Sequence, residues 1–146
     1  TFFQLLKQYQ KDGVTHVICE ATSHALDQFR YFGCHFTASV ITNLSHEHLD
    51  YHRNMGNYLK AKSRLFCQSK YKILNADDPY FPQLKKLLKK NIFTYSIKNP
   101  SNFQAKKINI SPESVSFVLD KLHSHHPFWL WYEYHPKKVQ INSEAL

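Results

Sequence analysis

The first 96 residues alternate between segments with helical and strand-type hydrophobic spacing. Apolar positions that repeat every three or four residues predict helices, and short continuous apolar runs predict buried strands. The predicted helices cover residues 2–10, 22–32, 54–67 and 80–90. The predicted strands cover residues 14–19, 36–44, 72–74 and 92–95. Because helices and strands alternate along the chain, the sequence predicts an α/β fold with a mostly parallel sheet and flanking helices.

Residues 103–120 have a different pattern, in which apolar and polar positions alternate. This period is typical of strands with one buried face, and Ser111 with Pro112 near the centre predicts the turn of a β-hairpin. From His123 the sequence is rich in histidine and aromatic residues and fits neither pattern cleanly. We therefore predict one partial domain over residues 1–122. Residues 123–146 form a divergent tail, either a displaced hydrophobic strand or a segment foreign to the fold.

The composition is that of a folded domain. The 146 residues are 42% hydrophobic and 15% aromatic, which is enough to form a core. No apolar run approaches the roughly 20 residues that a membrane-spanning helix needs. The three cysteines lack CxxC spacing, so we expect reduced core thiols in a cytosolic protein. The chain begins with Thr1 rather than Met, and we expect it to be a piece of a longer one.

The chain is basic, with 19 Lys and Arg against 11 Asp and Glu and a formal charge of +8. This balance favours anionic ligands such as nucleotides or nucleic acid. Residues 85–90 carry four of the lysines, which a solvated helix face explains equally well. The three glycines are isolated from one another, so these 146 residues contain no glycine-rich phosphate loop.

Polar side chains follow two of the predicted strands, at the point where each strand ends. Glu20 ends the first, followed by Thr22 and Ser23, and the second ends in Thr42 and Asn43. Ligands of open α/β sheets bind beyond the carboxyl ends of the strands. The sequence therefore predicts a metal or phosphate site at this edge of the sheet.

The segment from His46 to His52 is rich in groups that bind metals. Its histidines and carboxylates suit zinc, and it is similar to the HxHxDH signature of metallo-β-lactamase-type hydrolases, except that Tyr51 stands where the third histidine should be. Alternatively, a magnesium site would use the Glu20 carboxylate and one histidine beside nucleotide phosphates.

Lys62 interrupts the apolar stripe of the helix predicted over residues 54–67. It lies seven residues after Met55 and three and four residues after Leu59 and Tyr58. Such a lysine either extends its ammonium along the apolar face to solvent or is buried with a lowered pKa, available for covalent chemistry.

Together these motifs resemble those of the Mur ligases that add the third residue to the peptidoglycan stem peptide, the MurE type. Residues 20–30 (EATSHALDQFR) resemble the family segment E-x-S-S-H-x-L-x-Q-x-R, and residues 42–52 (TNLSHEHLDYH) resemble T-N-L-x-x-D-H-L-D-Y-H. Met55, Tyr58, Lys62 and Leu65 continue the match at the family's spacing, and residues 75–78 resemble its N-x-D-D turn. The resemblance is dense over residues 13–79 and fades towards residue 120.

The resemblance implies a cytoplasmic ligase that depends on ATP and Mg²⁺ and forms an amide bond through an acyl phosphate. Its substrates would be UDP-N-acetylmuramoyl-dipeptide and an amino acid, either diaminopimelate or lysine. It implies no membrane or nucleic-acid partner. Carried over by position, Glu20 and His48 would hold magnesium, and Lys62 would be a carbamylated lysine that supports a second ion. His48 and Lys62 would therefore be catalytic.

The resemblance also assigns two sets of binding residues. Those that would contact the UDP-sugar-peptide are Thr22, Ser23, Arg30, Thr42 and Asn43. Those that would lie near the nucleotide are Asn75 and Asp78.

The sequence departs from the family in several places. Thr22 replaces the serine that is usual in the family, and Glu47 replaces its aspartate. His46 stands at a position where arginine or another polar residue is common. The family's phosphate loop is expected upstream of Thr1, its G-x-F-N-x-x-N segment does not appear after the hairpin, and its carboxy-terminal domain is absent. We therefore expect the remainder of a ligase to be missing from this chain.

Three other interpretations remain open at this point. A different Mur ligase or a folylpolyglutamate-type ligase would share the fold, although residues 20–30 argue against both. A metallo-hydrolase would retain zinc after purification. A basic nucleic-acid-binding module would show an affinity that falls steeply with salt.

Overall fold

The computed structural model describes residues 1–46, 48–112, 114–121 and 137–142. The described helices are α1 (Phe2–Lys11), α2 (Ser23–Asp27), α3 (Leu49–His52), α4 (Met55–Cys67) and α5 (Phe81–Leu87). The described strands are β1 (Phe36–Ile41), β2 (Ser69–Asn75), β3 (Ile92–Ser96), β4 (Phe103–Ile110), β5 (Ser114–Lys121) and β6 (Lys137–Asn142). No helix in these ranges is long and apolar enough to cross a bilayer.

The strands form one sheet in the order β1-β2-β3-β4-β5-β6. β2, β3 and β4 are parallel neighbours, with Lys72 opposite Ile92 and Tyr95 opposite Phe103. β4 and β5 form the predicted antiparallel hairpin, and β6 pairs antiparallel with β5. The prediction of an α/β fold is confirmed, since α5 connects the parallel strands β2 and β3 and the hairpin follows the parallel strands. Apart from β6, the predicted tail lies outside the described residues.

Local capping signals explain where the helices begin. The Thr22 hydroxyl accepts a hydrogen bond from the Ala25 amide at 3.2 Å, and the Asn54 side chain accepts one from the Asn57 amide at 2.9 Å. Each cap satisfies an amide that has no partner within its helix. The predicted starts of α2 and α4 are thereby confirmed.

The predicted buried strand over residues 14–19 is wrong. These residues adopt no regular structure and are exposed, with Ile18 99% accessible. An apolar run becomes a strand only when a neighbouring strand accepts its backbone hydrogen bonds, and no described strand pairs with it. The prediction that all three cysteines are core thiols is wrong for two of them. Cys19, in this segment, and Cys67 are exposed, whereas Cys34 is buried.

Two predicted helices are shorter than their patterns suggested. α2 ends at Asp27 rather than near residue 32, and Phe29 follows with a φ of 54°. A left-handed residue ends a helix because its backbone cannot continue the hydrogen-bond ladder. α5 likewise ends at Leu87, before the last two lysines of its run.

The chain divides into two compact units. The first consists of Thr1–Ser39 and Ser45–Lys70, and the second of Val40–Leu44 and Tyr71–Leu146. In the first unit α2 packs on α4, and the buried side chains include Leu26, Leu59 and Phe66. In the second unit, Leu74 of β2 and Leu84 of α5 are almost fully buried. Each unit therefore has its own core.

Candidate functional site

A cluster of aromatic and imidazole rings surrounds α2 in the first unit. The His24 ring lies 4.8 Å from that of His48 and 4.2 Å from that of Tyr51, measured between ring centroids. The His52 ring also packs against the His24 ring, with 5.6 Å between the two centroids. These contacts join the two segments that the sequence singled out, 20–30 and 42–52, through His24 and His48.

The backbone around His48 is constrained. His48 has a φ of 60°, in the left-handed region that few residues other than glycine adopt, and it precedes α3 directly. Such strain is concentrated at ligand sites, where the surrounding structure maintains it. The side chain is exposed, so the imidazole of His48 is accessible to a ligand.

Lys62 reaches the same region from α4. Its ammonium donates a hydrogen bond to the carbonyl of Ala21 at 3.4 Å and lies 5.9 Å from the centroid of the Tyr58 ring. Ala21 stands between Glu20 and Thr22, and the Lys62 side chain is half-buried. The side chain is therefore directed towards the segment that carries Glu20 rather than extended along α4 to solvent.

The donor set of this region fits a divalent cation in its chemistry. Glu20 contributes an exposed carboxylate and His48 an exposed imidazole, and Lys62 binds the residue next to Glu20. Oxygen ligands suit Mg²⁺, which usually takes only one or two protein groups and keeps several waters. No three His, Cys, Asp or Glu side chains converge as a metal-binding group among the described residues.

Thr22, Ser23 and Arg30, the predicted substrate residues of the first unit, differ in accessibility. Thr22 is exposed, although its hydroxyl caps α2. Ser23 is 1% accessible, and its hydroxyl makes no hydrogen bond within the described structure. Arg30 is exposed, and its Nε donates to the Gln28 side chain at 2.9 Å. Thr22 and Arg30 are thus open to a ligand, and Ser23 is a buried hydroxyl beside them.

One interaction of the first unit was not predicted from the sequence. Arg64 donates from Nη1 to the Asp27 carboxylate at 2.7 Å and to the Asp27 carbonyl at 2.9 Å, which ties the end of α2 to α4. The Tyr51 hydroxyl donates to the other Asp27 oxygen at 3.2 Å. The partners are 37 residues apart, so no local pattern indicates the pair.

Thr42, Asn43, Asn75 and Asp78, the remaining predicted site residues, meet in the second unit. The Asn75 amide donates to the Thr42 carbonyl at 2.9 Å and to the Asn43 side chain at 3.3 Å. Asp78 is buried, and its carboxylate accepts the Leu44 amide at 2.6 Å. Asn75 and Asp78 therefore hold the segment 42–44 in place, and the Thr42 and Asn43 side chains remain exposed.

Asp77, between them, organises a turn that the sequence did not reveal. Its carboxylate accepts hydrogen bonds from the backbone amides of Ile97, Lys98 and Asn99, at 2.6, 3.0 and 2.9 Å. Partial burial alone would raise the pKa of Asp77, but these amides outweigh it and hold the pKa below its ordinary value. The turn after β3 therefore depends on an ionised Asp77.

Asp77→Asn is expected to destabilise the chain by about 1–3 kcal/mol at neutral pH, because an amide is a weaker acceptor for three backbone donors. Since folding lowers the pKa of Asp77, the stabilisation is complete above its unfolded value near 3.8 and is lost as the pH falls through the folded value. Urea unfolding at pH 7 and at pH 3 measures both effects. The difference in the free energy of unfolding between the variant and the native chain should be smaller at pH 3 than at pH 7.

Asp12→Asn is the matched control, since that exposed carboxylate accepts one side-chain hydrogen bond, from Gln8. Equal losses in the two variants, or a loss that persists unchanged at pH 3, would contradict the role of the ionised Asp77.

Comparison with known families agrees with these observations. Residues 1–130 match the Mur ligase middle domain. The chain belongs to the Mur ligase family. The resemblance to this family noted in the sequence is therefore confirmed.

Individual Mur ligases match most of the chain. A UDP-N-acetylmuramoyl-L-alanyl-D-glutamate–2,6-diaminopimelate ligase of Aquifex aeolicus (strain VF5) is 44% identical over 100 residues, which cover 67% of this chain and 21% of that protein. The ligase of the same name from Oceanobacillus iheyensis (strain DSM 14371 / CIP 107618 / JCM 11309 / KCTC 3954 / HTE831) is 39% identical over 133 residues, covering 85% of this chain and 26% of that protein.

A solved structure supports the fold. The structure of a UDP-N-acetylmuramoyl-L-alanyl-D-glutamate–2,6-diaminopimelate ligase superposes with a TM-score of 0.69 at 33% identity, covering 77% of this chain and 24% of that one. The chain thus spans about a fifth to a quarter of the length of the Mur ligases it matches.

Proposed function

We propose that this chain is the middle-domain part of an ATP-dependent ligase that adds the third amino acid to UDP-N-acetylmuramoyl-L-alanyl-D-glutamate in peptidoglycan synthesis. The observation that carries the proposal is the contact of Lys62 with Ala21, beside Glu20, in a chain similar to ligases named for that reaction. In the reaction, ATP converts the D-glutamate carboxylate to an acyl phosphate. The amine of the incoming amino acid then displaces phosphate through a tetrahedral intermediate.

Glu20, His48 and Lys62 are the residues that would hold Mg²⁺. When bound, Mg²⁺ neutralises phosphate charge and so assists transfer of the phosphoryl group. Glu20 supplies a carboxylate and His48 an imidazole, both exposed. The strained backbone at His48 and the ring contact with His24 fix the orientation of that imidazole.

Lys62 supplies an anion in this proposal. Its neutral amine adds to carbon dioxide and releases a proton, so the side chain becomes a carbamate with one negative charge. A carbamate would attract a divalent cation, whereas an ammonium would repel it. The carbamate nitrogen keeps one hydrogen, which can maintain the bond that Nζ now donates to the Ala21 carbonyl. Lys62 can therefore be modified without losing its position.

The residues that would contact the UDP-sugar-peptide are Thr22, Ser23, Arg30, Thr42 and Asn43. The exposed guanidinium of Arg30 suits a carboxylate or phosphate, which it can bind through two parallel hydrogen bonds. Asn75 and Asp78 would act near the nucleotide by holding the segment 42–44.

The amino acid added would be diaminopimelate, as in the names of the relatives, or lysine. The charged UDP group makes the UDP-linked substrate water-soluble, which fits a cytoplasmic enzyme. The proposal includes no membrane or nucleic-acid partner.

A chimeric enzyme tests this function. Residues 13–79 would replace the matching segment of the Aquifex aeolicus ligase, with expected ATP- and Mg²⁺-dependent ligation of diaminopimelate measured as ADP release. The 146-residue chain by itself should release no ADP, because it has three isolated glycines and no loop to position phosphates. A chimera that folds, by circular dichroism, yet forms no product would contradict the proposed function.

A further inference from the structure

A cleft of about 460 Å³ opens on the face of α4 defined by Asn57, Lys60 and Arg64. Ala61 of the same helix, Asp27 at the end of α2, and the consecutive residues Tyr51, His52 and Arg53 complete its walls. Lys62 does not line the cleft, nor do Glu20 and His48. The residues proposed to hold Mg²⁺ therefore do not line the cleft, although its wall residues Tyr51 and His52 contact the His24 ring.

The charges around the cleft are predominantly positive. Arg53, Lys60 and Arg64 contribute three cations and Asp27 one carboxylate, so a net positive charge remains. The hydrogen bonds that Arg64 makes within the described structure all use Nη1, and they go to Leu26 and Asp27. Its Nε and Nη2 donors are left for another acceptor.

A buried polar atom at the cleft indicates a ligand. His52 is 4% accessible, and its Nε2 makes no hydrogen bond within the described structure. A buried ring nitrogen without a partner is costly, and native proteins pair such atoms with protein, water or a ligand. Arg53, the next residue, also lines the cleft and has a φ of 67°, a strained backbone conformation of the kind that is concentrated at ligand sites.

We propose that this cleft binds a phosphoryl group, either inorganic phosphate or a phosphate ester. A phosphoryl group presents three or more oxygens, which can accept hydrogen bonds from Arg53, Lys60, Arg64 and the Nε2–H tautomer of His52 from different directions. A carboxylate has two oxygens in one plane and a single charge, so it can satisfy fewer of these donors. The proposal does not depend on the ligase reaction.

Nuclear magnetic resonance of the 146-residue chain, with labelled histidine, tests the proposal. Inorganic phosphate added at constant ionic strength is expected to shift the His52 ring resonances with saturation. Arg53→Gln and Lys60→Gln each remove one cation from an exposed position, so folding should be unaffected. Each is expected to weaken phosphate binding about tenfold, the effect of losing one charge-assisted hydrogen bond. The control is Lys7→Gln on α1, which lies outside the cleft and should leave binding unchanged.

Methyl phosphate and acetate identify the chemistry that the cleft selects. Saturable binding of methyl phosphate as tight as that of inorganic phosphate supports a phosphate ester as the ligand, and binding of inorganic phosphate alone supports the free ion. The proposal is overturned if neither saturates, if acetate binds as tightly as phosphate, or if Arg53→Gln and Lys60→Gln bind phosphate like Lys7→Gln.

Discussion

Lys62→Ala in a full-length ligase that carries this segment is expected to lower kcat by about 10²–10³-fold, the cost of removing one electrostatic group from an active site. The physical reason is the loss of the carbamate anion that we propose at Lys62. Folding should change little, because the 3.4 Å hydrogen bond to Ala21 and the cation–π contact with Tyr58 are each worth about 1 kcal/mol. Turnover is measured as ADP release, and stability by thermal unfolding.

Two further measurements separate a carbamate from a merely structural lysine. Short carboxylates such as acetate can enter the space that Lys62→Ala vacates, and they should restore part of the turnover by restoring a negative charge. Lys86→Ala, at an exposed lysine of α5, is the control and should be almost silent. If Lys62→Ala keeps most of its turnover, the proposal that Lys62 acts as a carbamate is wrong.

Glu20→Gln and His48→Ala in the same full-length ligase are expected to raise the Mg²⁺ concentration for half-maximal activity by about 100-fold or more. Replacing groups that only orient metal ligands already costs about 10–100-fold in affinity, and loss of a ligand should cost at least as much. Titration of ADP release against Mg²⁺ at saturating ATP and substrate measures this requirement.

The double variant distinguishes one shared ion from two separate effects. If Glu20 and His48 hold the same ion, the second substitution adds less than the first, because groups that share a partner are not additive. His35→Ala, at an exposed histidine outside these segments, is the control. Fully additive losses, or an unchanged Mg²⁺ requirement in both single variants, would contradict a shared site.

Much of the local structure could be predicted from the sequence, because its causes are local. α4 begins at Met55 because the Asn54 side chain satisfies the first unpaired amides, and its stripe of apolar residues buries Tyr58 and Phe66. The hairpin of β4 and β5 follows from the alternation of apolar and polar residues on either side of Ser111 and Pro112, although a register shift interrupts it between Lys106 and Asn109. The parallel pairing of β2 with β3 follows from the helix α5 that connects them.

Other features depend on partners that are distant in sequence. The end of α2 at Asp27 is tied to Arg64, and the turn after β3 is held by Asp77 twenty or more residues earlier. Neither pair leaves a periodic signal. Residues 14–19 show that a local signal can also fail. Their apolar run is typical of a strand, but it lies beside no described strand that could accept its hydrogen bonds.

The sequence by itself determined the helix starts, the hairpin, the family and the candidate residues Glu20, His48 and Lys62, because each rests on residues close together along the chain. Only the tertiary structure decided which of these side chains meet. It brought Lys62 to Ala21 and His24 to His48 within the first unit, and it left the Nε2 of His52 buried beside a cationic cleft. The physical reason is that packing brings together groups from separate elements, and no local spacing encodes their distance or burial.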